Sequence, residues 1–265
     1  MMNAYQGFAG VYDEFMDNTP YEEWAERLDC LIKKYGVSLP ERDAENLLDS
    51  EKNLVLDMGC GTGTLTELMY QKGYDMMGID LSGEMLAVAM DKKAESGSHI
   101  IYLQQDMREL ELYSTVGTIY SMCDSVNYIL EEDELLQVFS LVNNYLFPGG
   151  VFIFDFNTVY KYREVIGDTV IAENREDCSF IWENYYNPEE ELNEYDMTFY
   201  VREGELFRRY TETHVQRGYT PAQMVRLLEQ AGLQVLEMGD ADSGGAVHEK
   251  SERIYVVAGE KNKKV

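Results

Sequence analysis

Between residues 53 and 156 the chain alternates short apolar runs with longer segments whose apolar residues recur at helical spacing. Asn53-Leu54-Val55-Leu56-Asp57, 74–79, 100–104, 115–121 and 150–156 read as strands; 63–72, 83–95 and 131–146 read as helices. That rhythm implies βαβ units with right-handed crossovers, and so an α/β fold on a mostly parallel sheet. Pro148-Gly149-Gly150 reads as a break before Val151-Phe152-Ile153-Phe154. Upstream, Tyr5 to Tyr35 carries Phe8, Tyr12, Phe15, Trp24, Leu28, Leu31 and Ile32 among many acids, the pattern of amphipathic helix interrupted near Pro20. After Asn157 the period changes. Residues from about 165 to 217 are rich in Tyr, Phe, Thr and Val, with turn signals at Asn187-Pro188-Glu189-Glu190 and Glu203-Gly204-Glu205, which predicts an antiparallel meander of three or four strands. Thr220-Pro221 opens a helix to Ala231, and strands near 233–238 and 253–258 close the chain. The expected division is a helical cover over 1–52, a core of 53–159 with 218–260, and an inserted β unit over 160–217.

Composition narrows the function. Hydrophobic residues form 45% of the 265 residues, enough for a sizeable core. Forty-nine acids against 22 Lys and Arg give a net charge of −27, which disfavours binding to a phosphate backbone. The four cysteines, Cys30, Cys60, Cys123 and Cys178, form no CxxC pair, so a disulfide framework is not expected. The first residues lack the pattern of a signal peptide, and no apolar run approaches the roughly 20 residues of a membrane span. A cytoplasmic protein is expected, without nucleic-acid or membrane partners. No His/Cys/Asp/Glu cluster has metal-ligand spacing, so no metal is expected.

The most informative segment is Leu54-Val55-Leu56-Asp57-Met58-Gly59-Cys60-Gly61-Thr62-Gly63. Three glycines let the backbone turn sharply from strand to helix and approach a ligand closely, at the carboxyl end of a strand where open α/β sheets bind ligands. G-x-G-x-x-G fails: the sixth position is Thr64 counting from Gly59 and Thr66 counting from Gly61. The pattern is D-x-G-x-G-x-G. An acid beside the turn suits an ammonium-bearing ligand such as S-adenosylmethionine (SAM) and would repel a pyrophosphate. Asp80 follows Asp57 by 23 residues, within Gly73-Tyr74-Asp75-Met76-Met77-Gly78-Ile79-Asp80-Leu81-Ser82, where a carboxylate can accept both ribose hydroxyls. Gln105-Asp106-Met107 follows the third strand, and Ser121 to Tyr128 follows the fourth.

In these motifs the chain resembles the class I SAM-dependent methyltransferases. The resemblance implies a Rossmann-like, doubly wound sheet with its last strand antiparallel, and SAM as cofactor. It implies contacts from Asp57, Gly59, Gly61, Gly63, Asp80 and Leu81. It also implies an adenine site at Asp106 and Met107, and a substrate-facing segment after the fourth strand in which Cys123 contacts the cofactor. The Tyr12-Asp13-Glu14-Phe15 and Tyr21-Glu22-Glu23-Trp24 segments and the β insertion are similar to a branch containing sugar-amine N-methyltransferases, although Tyr128 stands where that branch can carry histidine. Tyr12 and Trp24 are read either as closing over the sulfonium or as ordinary core aromatics.

His214 ends a strand in the insertion. A single histidine is more often packed or on the surface, and the other reading makes it a general base. His214 and Tyr128 are the catalytic candidates. The expected reaction is in-line methyl transfer to a small-molecule amine or hydroxyl held between the SAM pocket and the insertion, with Phe180, Trp182, Tyr185, Tyr195, Phe199 and Phe207 as its roof. A homodimer through the insertion is the other use of that surface. Methylation of RNA or protein, NAD-dependent hydride transfer, and SAM sensing without catalysis are the competing functions. The absence of Pro-Pro-Tyr and Pro-Cys elements weighs against base methylation, and the failed dinucleotide pattern weighs against NAD.

Overall fold

The computed structural model describes residues 9–40, 47–261 and 263, so Tyr5 and Phe8 of the N-terminal reading lie outside it. Helices α1 (Ala9–Phe15), α2 (Tyr21–Tyr35) and α3 (Leu47–Asn53) precede the sheet, with α2 starting directly after Pro20. There follow β1 (Leu54–Met58), α4 (Thr64–Gln71), β2 (Asp75–Asp80), α5 (Gly83–Ser96), β3 (Ile101–Gln104), β4 (Val116–Ser121), α6 (Glu132–Tyr145) and β5 (Leu146–Asn157). The meander is β6 (Val170–Asn174), β7 (Cys178–Asn187), β8 (Leu192–Glu203) and β9 (Leu206–Arg217). Helix α7 (Pro221–Gln230) and strands β10 (Leu233–Asp240) and β11 (Arg253–Glu260) return to the core. Thr220 is the N-cap of α7 as expected, and Gln223 completes a capping box with it.

Seven strands form one sheet in the order β10-β11-β5-β4-β1-β2-β3. β1 pairs in parallel with β2 and β4, β4 with β5, and β2 with β3, while β11 runs antiparallel between β5 and β10. This is the Rossmann-like sheet with an antiparallel final strand. Its central strands are buried on both faces, because consecutive side chains point to opposite helix layers. Leu56, Ile119, Phe152 and Phe154 pack with Phe139, Val142, Leu227 and Leu228 of α6 and α7. Val55, Tyr120, Val151 and Ile153 pack with Leu28, Ile32, Leu65 and Met69 of α2 and α4. Each such fully buried side chain contributes about 1.5–3 kcal/mol relative to exposure.

The second sheet is the four-stranded antiparallel β6-β7-β8-β9. Two local expectations need correction. Pro148-Gly149-Gly150 does not break the strand. β5 runs through it as a bulge, with Leu146 opposite Val116 and Val151 opposite Thr118, and Gly149 takes φ +76°. Before β6, Lys161–Ile166 forms a π-helical turn. The six aromatics expected as a roof do not all share one face. Strand alternation places Phe180, Trp182, Tyr195 and Phe199 on one face of the meander and turns Tyr185 and Phe207 to the other, where they are 52% and 46% exposed.

Candidate active site

Three glycines at positive φ carry the turn out of β1: Gly59 at 84°, Gly61 at 54° and Gly63 at 75°. A Cβ on Gly59 would lie 2.8 Å from Ser125 Oγ, and one on Gly63 would lie 2.4 Å from Tyr102 Oη. A Cβ on Gly61 would meet nothing within 4 Å. The outer two glycines therefore serve close packing, and the middle one faces open space, the cradle a ligand needs.

Asp80, at the end of β2, borders that space. Its Oδ2 accepts from Gly61 N at 2.8 Å and its Oδ1 from Ser82 N at 2.8 Å. Burial pushes this carboxyl up, opposed by the backbone N–H groups of Ser82 and Gly61. Leu81 beside it is 61% exposed, an apolar side chain at the rim. Asp57 is 3% exposed beneath the loop, and its Oδ2 accepts from Thr66 Oγ1 at 2.6 Å and Tyr120 Oη at 3.0 Å. Burial, with a smaller contribution from Asp80, pushes it up to about 7. Asp106 is bound bidentately by Arg108 through Nε and Nη2. Burial raises this carboxyl, but the hydrogen bonds and charge of Arg108 outweigh it and hold it below the usual range. Met107 reaches the glycine turn, its Cε 3.7 Å from where a Gly59 Cβ would stand.

The segment after β4 is strained. Cys123 and Asp124 take φ 61° and 51°, values that non-glycine residues hold only when their surroundings enforce them. Here the surroundings are ionic. Asp124 Oδ1 pairs with Arg253 Nη2 at 3.1 Å, Asp124 Oδ2 accepts from Gln216 Nε2 at 2.7 Å, and Asp124 N donates to Asp155 Oδ1 at 2.8 Å. Burial alone would lower Arg253, but Asp155 and Asp124 outweigh it and hold the guanidinium charged. Burial, then Asp124, pushes the Cys123 thiol up to about 12, so it is no nucleophile at neutral pH.

The N-terminal cover reaches this centre. Tyr12 hydrogen-bonds Tyr21 and Cys123. Asp13 accepts from Thr62 Oγ1 at 2.7 Å and pairs with Lys92 at 2.6 Å. The Trp24 ring meets Tyr21 edge-on at 5.6 Å and lies 5.5 Å from the Arg253 guanidinium carbon. Its ring is therefore a partner of Arg253 as well as of the core.

On the opposite side the two catalytic candidates meet. Tyr128 Oη lies 3.1 Å from His214 Nδ1 and 2.9 Å from Tyr195 Oη, and the Tyr195 ring stacks on the imidazole at 5.0 Å. His214 Nε2 lies 3.3 Å from Glu212 Oε2, with the two side chains 1% and 2% exposed. The sequence reading missed Asp13, Arg253, Glu212 and the role of Tyr195. For Glu212 a signal existed, because residues two apart on a strand share a face. For Arg253, joined to Asp124 across 129 positions, none did.

The loop, the acid at the end of β2 and the strained segment after β4 follow neighbouring parallel strands at the carboxyl rim of an α/β sheet. The methyltransferase-domain family matches residues 55–150. The Bacillus subtilis (strain 168) protein named "Putative methyltransferase YqeM" is 34% identical over 255 residues, covering 96% of each chain. A solved SAM-dependent methyltransferase from Clostridium acetobutylicum ATCC 824 superposes with a TM-score of 0.84 at 30% identity, over 98% of this chain and 100% of that one. A Streptomyces venezuelae dTDP-3-amino-3,4,6-trideoxy-alpha-D-glucopyranose N,N-dimethyltransferase is 26% identical over 198 residues, covering 73% of this chain and 81% of that protein. The chain belongs to the SAM-dependent methyltransferase family; it is an enzyme of that class, with SAM as its cofactor. Among the described residues no helix is long and apolar enough to cross a membrane, and no group of three or more His, Cys, Asp or Glu is placed to hold a metal ion.

Proposed function

We propose that this enzyme methylates an amine or hydroxyl of a small molecule held between the SAM pocket and the inner face of the meander. The observation that carries the reading is the contact between Tyr128, at the end of the segment after β4, and the buried His214 of the insertion. It brings a pair able to accept a proton beside the strained turn at Cys123 and Asp124. The Streptomyces venezuelae relative, named for an amino-sugar acceptor, supports an amine-bearing molecule.

In this reading residues 53–159 and 218–260 bind SAM, 1–52 cover it, and 160–217 hold the acceptor. Asp80 accepts the ribose hydroxyls, with Leu81 and Met107 against the adenosine and Asp106 on its amino group. Asp57, Gly59, Gly61 and Gly63 receive the methionyl end, and Tyr12, Trp24 and Cys123 close around the sulfonium. Asp106 must share its carboxylate with Arg108 to do so. SAM supplies an already activated methyl group, so the protein's part is to position the acceptor, exclude water and remove its proton. A cytoplasmic site of action is part of the same proposal.

The test is to incubate the protein with methyl-tritiated SAM and a bacterial extract separated into small-molecule, RNA and protein fractions. Label in the small-molecule fraction is the expected result. Label confined to RNA or protein would overturn the reading.

A further inference from the structure

We propose that Glu212, His214 and Tyr128 form a buried proton relay in which Tyr128 Oη takes the proton of the acceptor's nucleophile, with Tyr195 as the residue that orients Tyr128. The proposal rests on the small-acceptor reading above and adds to it how the proton leaves. Three independent features of the geometry support it.

The first is strand register. Glu212 and His214 are two apart on β9, so both point to the same face of the meander, and Tyr195 stands directly opposite His214 on β8. All three are buried, at 6%, 3% and 6% exposure. The turn that carries Tyr128 is latched beneath that face: Asn127 Nδ2 donates to the carbonyl oxygens of Asn157 and Arg217, and Asn157 N donates to Asn127 Oδ1. Both sides of the Tyr128–His214 contact are thus held by separate bonds.

The second is donor counting. The relay assigns Glu212 Oε2 as the acceptor facing the imidazole, so the nitrogen there, Nε2, carries the hydrogen. Nδ1 is then left as an acceptor, and Tyr128 donates its hydroxyl hydrogen there. Tyr128 has one hydrogen, so the contact with Tyr195 is satisfied by Tyr195 donating. Burial and Asp124 push Tyr195 far above the ordinary tyrosine value, which keeps that donor protonated. The ring stack of Tyr195 on His214 fixes the imidazole plane.

The third is an unfilled acceptor. Glu212 Oε1 is buried and has no hydrogen-bond partner among the described residues, so His214 is the group this carboxylate serves. A charge that forms on His214 during transfer therefore has this carboxylate 3.3 Å away to offset it.

In the transfer itself, the acceptor's lone pair forms the bond to the methyl carbon, and the carbon–sulfur pair stays on sulfur. The proton of the acceptor nitrogen or oxygen passes to Tyr128 Oη as the Tyr128 proton passes to His214 Nδ1. Tyr128 ends neutral, and the imidazolium sits against the Glu212 carboxylate until it loses its proton to solvent. Tyr128 is the catalytic residue; His214 and Glu212 act through it, and Tyr195 positions it.

The experiment is nitrogen-15 NMR of the imidazoles in the full-length protein with S-adenosylhomocysteine present, helped by there being only three histidines. The expected wild-type result is that His214 is the Nε2–H tautomer. Glu212→Met, which fills the space without an acceptor, is expected to move it to the Nδ1–H form, whereas Tyr195→Phe leaves it unchanged. An Nδ1–H tautomer in the wild type would overturn the relay, because Nδ1 could not then take the Tyr128 proton. So would an Nε2–H form that persists in Glu212→Met. If Glu212→Met does not fold, the wild-type tautomer still decides. Calorimetry with S-adenosylhomocysteine separates the two levels. If it binds and the tautomer is wrong, the relay alone fails; if it does not bind, the reading of the pocket fails as well.

Discussion

Asp57 should make the protein less stable as pH rises, and Asp57→Asn should reverse this. The carboxylate is 3% exposed and sits beneath the glycine turn, with one oxygen held by Thr66 and Tyr120. Burial moves it from 3.8 to about 7. A carboxyl raised on folding costs nothing where it is protonated in both states. The cost grows as pH climbs above the unfolded value and is complete above the folded one. At about 1.4 kcal/mol per pH unit the full interval amounts to about 4 kcal/mol, reached by about pH 8, against about 2 kcal/mol at about pH 5. An asparagine keeps a carbonyl oxygen for both hydroxyl donors and removes the charge. Its stabilisation should therefore be larger by about 2 kcal/mol at the higher pH, which for a chain of this size is about 4–8 °C in Tm. Thermal unfolding followed by circular dichroism at the two pH values measures the difference directly. Equal shifts at both would show that Asp57 ionises as an ordinary exposed carboxylate, and the reasoning would fail. Calorimetry should show the opposite sign for the ligand, with SAM bound more weakly by the variant because an ammonium loses its counter-charge.

Other expectations follow from the same contacts. Asp80→Ala should weaken S-adenosylhomocysteine binding by about 1.5–3 kcal/mol, the range for hydrogen bonds to a charged group, and an unchanged Kd would remove it from the pocket. Gly61→Ala and Gly63→Ala should differ in kind. At Gly61 the strain of a left-handed alanine costs about 1–2 kcal/mol of stability, and ligand affinity collapses because the methyl enters the cradle. At Gly63 the clash with Tyr102 adds about 1–3 kcal/mol, so a lower Tm should dominate. With the acceptor identified by fractionation, Tyr128→Phe should lower kcat by about 100-fold or more while the Kd for SAM stays the same; an unchanged kcat would exclude a proton-accepting role.

The candidate cofactor residues could be read from the sequence because their signals are local. Gly59, Gly61 and Gly63 lie within five residues, and Asp80 ends β2 while Met107 follows β3, positions that parallel topology brings back to the same rim. The proposed acceptor half depends on contacts of high sequence separation. Asp124 is held by Gln216 and Arg253, 92 and 129 positions away, and neither was visible as a partner from residue type alone. Strand alternation could have separated Tyr185 from Trp182 in advance, since three residues apart on a strand means opposite faces. The bulge at Pro148 misled for a related reason: a proline and two glycines punctuate a chain, but a strand with β4 on one side and β11 on the other can absorb them.

The least autonomous element of the site joins its two halves. Helix α1 has seven residues, too few to be stable alone. Its order comes from what it touches. Asp13 holds it to Thr62, Thr64 and Lys92 at the glycine turn. Two residues further on, Phe15 packs edge-on to Phe180 at 5.0 Å and against Phe199 at 6.0 Å, while Arg175 of the meander binds Asp17 at 2.9 Å and the Glu14 carbonyl. Tyr12 lies between, on Cys123. A marginal helix pinned at both ends couples what it joins, because fixing one end lowers the entropy still to be lost in fixing the other. Cofactor and acceptor should therefore bind with positive cooperativity through α1. Asp13→Ala is the perturbation: it leaves the aromatic contacts to the meander intact while removing the link to the glycine turn. Double titration with S-adenosylhomocysteine and the acceptor should show a coupling of about 1–3 kcal/mol in the wild type and less in the variant. Equal coupling in both would mean that the halves communicate through the sheet, and that α1 only covers them.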